Sequence, residues 1–505
     1  MTALGSSALA DAIARSFTED EPTRPAMSPL RALGRRQLSG VEVLAQSVAT
    51  TAPAASMVLL PATMLTQQAL ASGLIAVVVA TVFVTLIAWC MAQFTRRMVA
   101  SGGLYAFVAK GLGVRAALAT GIAMAVKYLG SGALTLYHGG QAVIAVAAQC
   151  GIEIRGPATA VVYLAIAAAI LTALLRGVRF AAFAILVVEV CSLVFIVGLM
   201  SLSGNETVHV VPGGGGGALL PVVLTALFAL AGFESATFIA PEARRPMVTV
   251  TRTVLATPAI CGTLFVFAGW AAWSGHADTL VGAYLHGTST GISPVVVALL
   301  HLGMCCSWLA SAMASSNAAS RLLYSMGVEG VLPRALGVVH RGLRTPSVAL
   351  VAATALLAIG AATFAVAGHV PDWTRVTLRV ALLIAYVLVA AAAVAFLTRI
   401  HELTAPTAWA GRVAAVGGVA VCGYVVIGHA VDGRFAALVA LVAIVSVATA
   451  WYLYLRRARP GTLAVVGVFD SPESRDVLPG AGAFAENSHG RMALVGADHP
   501  DAVRQ

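Results

Sequence analysis

The chain has 505 residues, of which 59% are apolar and only 10% are charged. Soluble domains carry about 25% charged residues, and so few charges cannot cover the surface of a water-soluble protein of this length. The composition therefore predicts an integral membrane protein and argues against a secreted disulfide scaffold, a coiled coil, a disordered chain or a nucleic-acid binder. The formal net charge of +10 lies within residues 39–456, because the charges of the two tails nearly cancel.

Twelve apolar stretches, each near the roughly 20 residues that cross a bilayer, follow one another along the chain. They lie at about residues 39–64, 69–92, 114–138, 158–175, 181–202, 218–240, 250–273, 293–314, 347–367, 377–397, 408–428 and 435–455. They predict a cytoplasmic N-terminal tail (1–38), a transmembrane domain (39–456) and a cytoplasmic C-terminal tail (457–505). We expect the last to be disordered, because it mixes Gly, Pro, Asp and Ser without apolar periodicity.

The lysine and arginine residues of the loops predict the orientation, because cytoplasmic loops carry an excess of them. With the N-terminus inside, fifteen lie in cytoplasmic loops and four lie outside. The outer four are Arg155, Arg375, Arg379 and Arg434. We therefore expect a plasma-membrane protein with both termini in the cytoplasm, its first helix serving as an uncleaved anchor.

Two of the apolar spans contain residues that interrupt a helix. The first span includes Ala52, Pro53, Ala54, Ala55 and Ser56. Pro53 lacks an amide donor and clashes with the preceding turn. In the sixth span, Gly232 lies two residues before the acid Glu234, and an ionised carboxylate inside a membrane span is costly. Paired interruptions of this kind are typical of inverted-repeat transporters, which bind substrate at the broken ends. A proline kink without a ligand role is the alternative.

Two more ionisable side chains lie deep in apolar spans. Lys127 is about 11 residues, or roughly 17 Å, into the third span, and Glu189 lies in the fifth. We predict that they form an ion pair, which would remove two isolated charges; a structural polar contact is the alternative. The chain has no Walker A, HExxH or GxSxG motif, so we expect no enzyme activity, cofactor or metal site. A membrane-embedded enzyme would need acids or histidines converging at one depth.

Several short motifs occur in a fixed order along the chain. They are GGLY at 102–105, GFES at 232–235, EARRP at 242–246, NAASR at 317–321, GVLPR at 330–334 and TP at 345–346. Together they resemble the amino acid–polyamine–organocation (APC) superfamily of permeases over most of residues 38–400. The resemblance implies an all-α integral membrane fold of about 12 transmembrane helices. Helices 1–5 and 6–10 would form a leucine-transporter-type inverted repeat, with two extra helices.

The resemblance also implies transport of an amino acid or related amine by alternating access, with the substrate held at the two interruptions. Its site would comprise Ala52, Pro53, Ala54, Ala55, Ser56, Phe228, Ala229, Ala231 and Gly232. The backbone of residues 54–56 would bind the substrate carboxylate, and the carbonyls of Phe228, Ala229 and Ala231 would receive its ammonium group. Phe228 stands where the family often has an aromatic that closes over the substrate, and Glu234 would sense a proton or link to a gate.

Residues of helices five and eight bear on the coupling ion. By alignment, Ser192 stands where some relatives have a lysine in helix five, and Ser311 is a possible partner in helix eight for sodium. We expect proton-coupled symport, with sodium coupling and amino acid or amine exchange as alternatives. The expected partners are a small amino acid or amine, a proton and the lipid bilayer, without nucleic acid; the sequence does not give the oligomeric state.

Overall fold

The computed structural model describes residues 38–176, 178–202, 219–287, 292–340, 344–467, 483–486 and 492–495. Nearly all of them are helical. The helices are α1 (Gly40–Thr50), α2 (Pro53–Thr66), α3 (Leu70–Thr95), α4 (Leu104–Leu112), α5 (Val114–Gln149), α6 (Pro157–Leu175), α7 (Val178–Leu202), α8 (Leu219–Leu230), α9 (Pro246–Trp273), α10 (Asp278–His286), α11 (Pro294–Val328), α12 (Ser347–Ala367), α13 (Asp372–Arg399), α14 (Ala405–Val431), α15 (Ala436–Ala458) and α16 (Pro460–Val465). Two 3₁₀ helices span Phe233–Glu242 and Arg334–Gly337.

The predicted all-α membrane fold is confirmed. Among the described residues, eleven helical segments are long and apolar enough to cross a membrane, with α1 plus α2, and α8 plus the following 3₁₀ helix, each forming one segment. The remaining predicted span, 181–202, coincides with α7. Its described apolar part, Glu189–Ser201, is too short to be counted among the eleven. The chain therefore crosses the membrane many times, and its interrupted helices are the first and the sixth predicted spans.

The predicted C-terminal tail contains some local structure. Helix α16 follows α15 directly, and strands β1 (Ala483–Glu486) and β2 (Met492–Val495) pair in an antiparallel register. The other residues beyond 467 lie outside the described part of the chain, as do residues 1–37. The predicted boundaries of the two tails therefore stay predictions.

Two helices extend well past their predicted ends. Helix α5 continues to Gln149 and α11 continues to Val328, instead of ending near residues 138 and 314. Arg321, one of the fifteen basic residues that the sequence assigns to cytoplasmic loops, consequently lies inside α11 and is 1% exposed. Its charge is neutralised by Glu242 across a helix interface. The arginine therefore does not mark the end of the helix, although an unpaired charge in an apolar span would.

The interrupted helices occupy the centre of the molecule. Helix α1 packs against α7, α9 and α11, and α2 packs against α8, α9 and α11. The long helices α5 and α11 make the most extensive helix pair, and α13 packs on α5. Helices α14 and α15 lie at the periphery and expose apolar side chains such as Val416 and Val439, as expected for surfaces that face lipid. This arrangement surrounds both helix interruptions with protein.

Candidate functional site

The first interruption separates α1 from α2. Helix α1 begins with a capping box in which Ser39 and Glu42 satisfy each other's backbone amides. After α1 ends, Ala52 adopts a left-handed conformation with φ of 45°, which a non-glycine residue rarely adopts and which costs about 1–3 kcal/mol. Pro53 then starts α2, because its fixed φ suits the first helical turn. The backbone strain is thus concentrated at one predicted site residue.

The second interruption separates α8 from the 3₁₀ helix that begins at Phe233. Gly232 has a φ of 133°, a conformation that favours glycine. A Cβ atom at this position would lie 2.9 Å from the carbonyl carbon and the Cβ of Thr50. Glycine is therefore needed both for the turn and for the close approach of the two interruptions, which touch each other.

A cavity of about 360 Å³ borders both interruptions, a volume within the range of roughly 300–1,000 Å³ found for small-molecule sites. Its walls combine hydroxyl and apolar groups. The lining includes Thr50, Thr51, Ala52, Ser56, Thr63, Lys127, Ser131, Thr135, His138, Thr225, Phe228, Ala229, Ala231, Tyr284, Trp308, Ser311, Arg375 and Arg379. The cavity reaches Arg375, which lies near the start of α13 with 42% of its side chain exposed. It therefore extends to the membrane side opposite to the start of α1.

The mouth of the cavity is basic. Arg375 and Arg379 line it together with Tyr284 of α10. Burial raises the pKa of the Tyr284 phenol, so this group is a neutral hydroxyl at ordinary pH. No acidic side chain is among the cavity-lining residues in the described part of the chain. The charges of the lining are therefore basic, although the exposed Asp372 carboxylate, outside the lining, lies 3.8 Å from Arg375 and partly compensates it.

A buried polar cluster lies at the base of the cavity around Glu234. The Lys127 ammonium is 3.0 Å from Glu234 Oε1, and the two side chains are 2% and 0% exposed. The hydroxyls of Tyr128 and Tyr386 donate to the same carboxylate at 2.9 and 3.0 Å, and the Gly232 amide donates to it at 2.9 Å. This cluster ties α5 and α13 to the second interruption.

The predicted ion pair between Lys127 and Glu189 is wrong. Glu189 instead accepts hydrogen bonds from the Ala54 amide at 3.1 Å and from Ser307 Oγ at 2.8 Å. The two side chains do lie deep in their helices, as predicted. However, α7 packs against α1, α2, α6 and α11, so Glu189 faces the first interruption and Lys127 pairs with the acid of the second.

The side of the cavity nearest the start of α1 is closed by polar contacts between α1, α11 and the 3₁₀ helix. Asn317 donates to Gln46 at 2.9 Å, and Gln46 donates to the Ala314 carbonyl at 2.8 Å. The Arg321 guanidinium donates to Glu242 at 2.6 and 2.9 Å and also contacts Asn317. All four side chains are buried. We call this set, Gln46, Glu242, Asn317 and Arg321, the closed layer.

The predicted site residues divide into two groups. Seven line the cavity: Ala52, Ser56, Lys127, Phe228, Ala229, Ala231 and Ser311. The others lie beside it or behind it: Pro53, Ala54, Ala55, Glu189, Ser192, Gly232 and Glu234. The amides of Ala54 and Ala55 bind Glu189 and Ser307, and the Phe228 carbonyl accepts from Ala231.

The structure does not bring Ser192 and Ser311 together. The Ser192 Cβ lies 3.9 Å from where a Cβ of Gly303 would be. Ser311 is eight residues further along α11, which is about 12 Å at 1.5 Å per residue. Its hydroxyl donates to the Thr50 carbonyl at 3.0 Å. The two serines therefore do not form one cation site here.

Several site residues were missed by sequence reasoning. Tyr386 and Tyr128 bind Glu234. Trp308 and His138 contact each other in the cavity wall, with ring centroids 5.2 Å apart and ring planes tilted by 30°. Tyr128 follows Lys127 directly, so a polar tip next to a deep lysine was an available signal. Tyr386 and Trp308 are ordinary aromatics in apolar spans, and their sequence neighbours carry no such signal.

Together, the fold and the site define a multi-pass membrane transporter with two interrupted helices around a central cavity. The chain belongs to the amino acid permease family, whose model matches residues 42–466. This match confirms the resemblance noted in the sequence, and the amino acid permeases are a family of membrane transporters. A comparison with the curated proteins finds no match.

Proposed function

We propose that this protein is a secondary active transporter that carries an amino acid across the plasma membrane by alternating access, in symport with a proton. The amino acid binds in the central cavity, with both termini of the protein in the cytoplasm. Exchange of amino acids, coupling to sodium and transport of a related amine are the competing functions.

The main support is the meeting of the two interruptions at the cavity. Thr50 and Gly232 abut, and the lining includes residues of both interruptions, such as Ala52 and Ala231. The C-terminal ends of α1 and α8 bring carbonyl groups to this place, and the C-terminal end of a helix carries partial negative charge. A substrate ammonium group therefore has acceptors there without any acidic side chain.

The charges of the cavity favour a substrate that has a carboxylate. Arg375 and Arg379 line the mouth, where Asp372 lies 3.8 Å from Arg375 and leaves one arginine charge in excess. Lys127 lines the base, and its charge is compensated by Glu234. A polyamine or another purely cationic amine would meet like charges at the mouth, which is unfavourable. A zwitterionic or acidic amino acid can place its carboxylate toward the arginines and its ammonium toward the helix ends.

The shape fits one state of an alternating-access cycle. The cavity extends toward the Arg375 side, while the closed layer blocks the side where α1 begins. With the termini in the cytoplasm, this state is closed to the cytoplasm. Without Arg321, which is buried, fourteen basic residues remain in the loops and helix ends assigned to the cytoplasm, against four assigned to the outside. The charge asymmetry therefore still supports that orientation.

Uptake by the purified protein in liposomes tests the proposal. A panel of acidic, neutral and basic amino acids and their decarboxylated amines is offered, with pH and sodium gradients imposed separately. We expect accumulation of an amino acid driven by a pH gradient alone. Accumulation driven only by sodium at equal pH, or only by substrate loaded on the other side, would replace the symport assignment; failure of every panel member to move would remove the proposal.

Phe228 offers a matched pair of variants for the location of the site. Phe228→Ala removes an aromatic that lines the cavity, and we expect it to weaken substrate binding. Phe183→Ala makes the same change at a side chain that is 64% exposed on α7. Equal effects of the two variants would place the substrate elsewhere.

A further inference from the structure

The N-terminus of α2 is occupied by a carboxylate of the protein itself. Only two backbone amides can donate to a ligand there, because Pro53 has no amide hydrogen and the Ser56 amide donates to the Ala52 carbonyl. The Ala54 amide donates to Glu189 Oε1 at 3.1 Å, and the Ala55 amide donates at 3.3 Å to Ser307, which in turn donates to the same Oε1 at 2.8 Å. The positive end of the helix and both amides thus stabilise the ionised form of Glu189.

The other oxygen of this carboxylate is unsatisfied. Glu189 is 2% exposed, and its Oε2 has no hydrogen-bond partner among the described residues. A buried acceptor without a partner costs about 1–3 kcal/mol, and more when it is charged. Oε2 is therefore an open position for a proton, and a bound proton would remove the charge that α2 now stabilises.

In the described part of the chain, the neighbours of Glu189 supply no other charge. The thiols of Cys261 on α9 and Cys306 on α11 lie close enough to interact with it electrostatically. Helix α2 has no titratable side chain, the acid of α1 is at its far end, and Tyr163 of α6 stacks on Tyr137 instead. Within the described residues, no lysine or arginine pairs with Glu189. The amides of α2 and the Ser307 hydroxyl are consequently the groups that favour its ionised form, against the burial that favours the neutral form.

We propose that Glu189 is the proton-binding residue of the carrier, and that its carboxylate and the substrate carboxylate are alternative occupants of the N-terminus of α2. Ala52 and Ser56, which flank the Ala54 and Ala55 amides, line the cavity, so a substrate carboxylate has only a short distance to travel. The inference rests on the proposed amino acid transport and names the group that would couple it to protons.

The exchange balances in atoms and charge. When the substrate carboxylate accepts the hydrogen bonds of Ala54 and Ala55, Glu189 loses the donors that stabilise its charge. Two buried carboxylates at one helix end repel each other, so one must take up a proton. Glu189 Oε2 takes one proton from solvent, forming one O–H bond and leaving a neutral carboxyl group. One proton is thus bound for each amino acid, and it is released when the substrate leaves and Glu189 returns to α2.

The test measures binding and proton uptake by the purified full-length protein, with the amino acid that the wild type transports best in the liposome panel as the probe. In the wild type we expect about one proton taken up per amino acid bound. The dissociation constant should then rise about tenfold per pH unit over the range in which free Glu189 is ionised. Glu189→Gln, which mimics the neutral carboxyl, should bind without proton uptake and with a flat pH profile. Glu402→Gln, the same change at an exposed residue, should behave like the wild type.

The decarboxylated amine of the same amino acid distinguishes carboxylate exchange from a general effect of binding. The amine should bind, if at all, without proton uptake, because it cannot take the α2 amides. Proton uptake with the amine, or a Glu189→Gln variant that still accumulates substrate along a pH gradient, would overturn the inference while leaving the proposed transport intact. Sodium uptake that depends on Glu189 would overturn it as well.

Infrared difference spectra of the substrate-free protein keep the inference testable without transport. Lowering the pH should produce the band of a protonated carboxyl that is missing in Glu189→Gln, and its absence from the wild type would overturn the inference. If Glu189→Gln does not fold, Ser307→Ala replaces it. This variant removes one hydrogen bond to the ionised carboxylate, so the pH dependence of substrate binding should move to higher pH; an unmoved profile would contradict the proposal.

Discussion

Replacing Lys127 by methionine removes the positive partner of Glu234 and keeps an unbranched side chain. The two charges are 3.0 Å apart and almost fully buried. At that distance their attraction is about 5.5 kcal/mol with an effective dielectric constant of about 20, and loss of one partner of a buried pair costs about 3–5 kcal/mol. We therefore expect Lys127→Met to lower the free energy of unfolding by about 4 kcal/mol.

Equilibrium unfolding in mixed detergent micelles with increasing denaturing surfactant measures this loss. The double variant Lys127→Met with Glu234→Gln should recover part of it, because no uncompensated charge is left in the protein. Arg97→Met is the matched control: its ion pair with Glu402 has side chains that are 30% and 55% exposed, and such surface pairs contribute about 0–1 kcal/mol.

Two results would refute the reasoning about the cluster. One is a loss for Lys127→Met no larger than that for Arg97→Met. The other is a double variant whose loss of unfolding free energy equals the sum of the losses of Lys127→Met and Glu234→Gln. Residues that form one buried pair are not independent, so their losses should not add. Either would show that the charges of Lys127 and Glu234 do not depend on each other.

Three further variants test the cavity and its closure. Gly232→Ala should reduce uptake more than tenfold, because the φ of Gly232 and its close approach to Thr50 disfavour a side chain. Gly423→Ala on α14, where an added Cβ meets open space, should leave uptake unchanged. Equal activity of the two variants would contradict the close contact of the interruptions. Arg379→Gln should weaken binding of the transported amino acid by about 10- to 150-fold, as expected for a lost charged contact of roughly 1.5–3 kcal/mol. An unchanged dissociation constant measured by calorimetry would exclude Arg379 from the site. Glu242→Gln should loosen the closed layer. A thiol introduced as Ser320→Cys, at a position that is 0% exposed, should then react faster with a maleimide than it does when Glu242 is present. An unchanged reaction rate would argue against the layer as a gate.

Much of the fold followed from local sequence properties. The length and hydropathy of the spans predict the membrane crossings, because each helix must satisfy its own backbone in hydrocarbon. The interruption residues are equally local: Pro53 cannot continue a helix and Gly232 tolerates a φ of 133°. The ordered motifs were sufficient to suggest the family that the match over residues 42–466 established.

The end of α11 and the position of Arg321 could not be predicted in the same way. A helix that leaves the hydrocarbon while staying inside the protein has no change of hydropathy at the membrane boundary. Arg321 is tolerated in α11 because Glu242, from a distant segment, lies 2.6 Å away. The partner is 79 residues away along the chain, so local composition carries no trace of it.

The sequence by itself determined that this protein crosses a membrane many times, that its first and sixth spans are interrupted, and that Lys127, Glu189 and Glu234 lie deep within helices. Only the tertiary structure decided that Lys127 pairs with Glu234 while Glu189 caps α2. The physical reason is that hydropathy fixes the depth of a residue in its helix, whereas the partner of a side chain depends on which helices are neighbours and how each is rotated. Those two properties arise from packing among segments far apart in the chain.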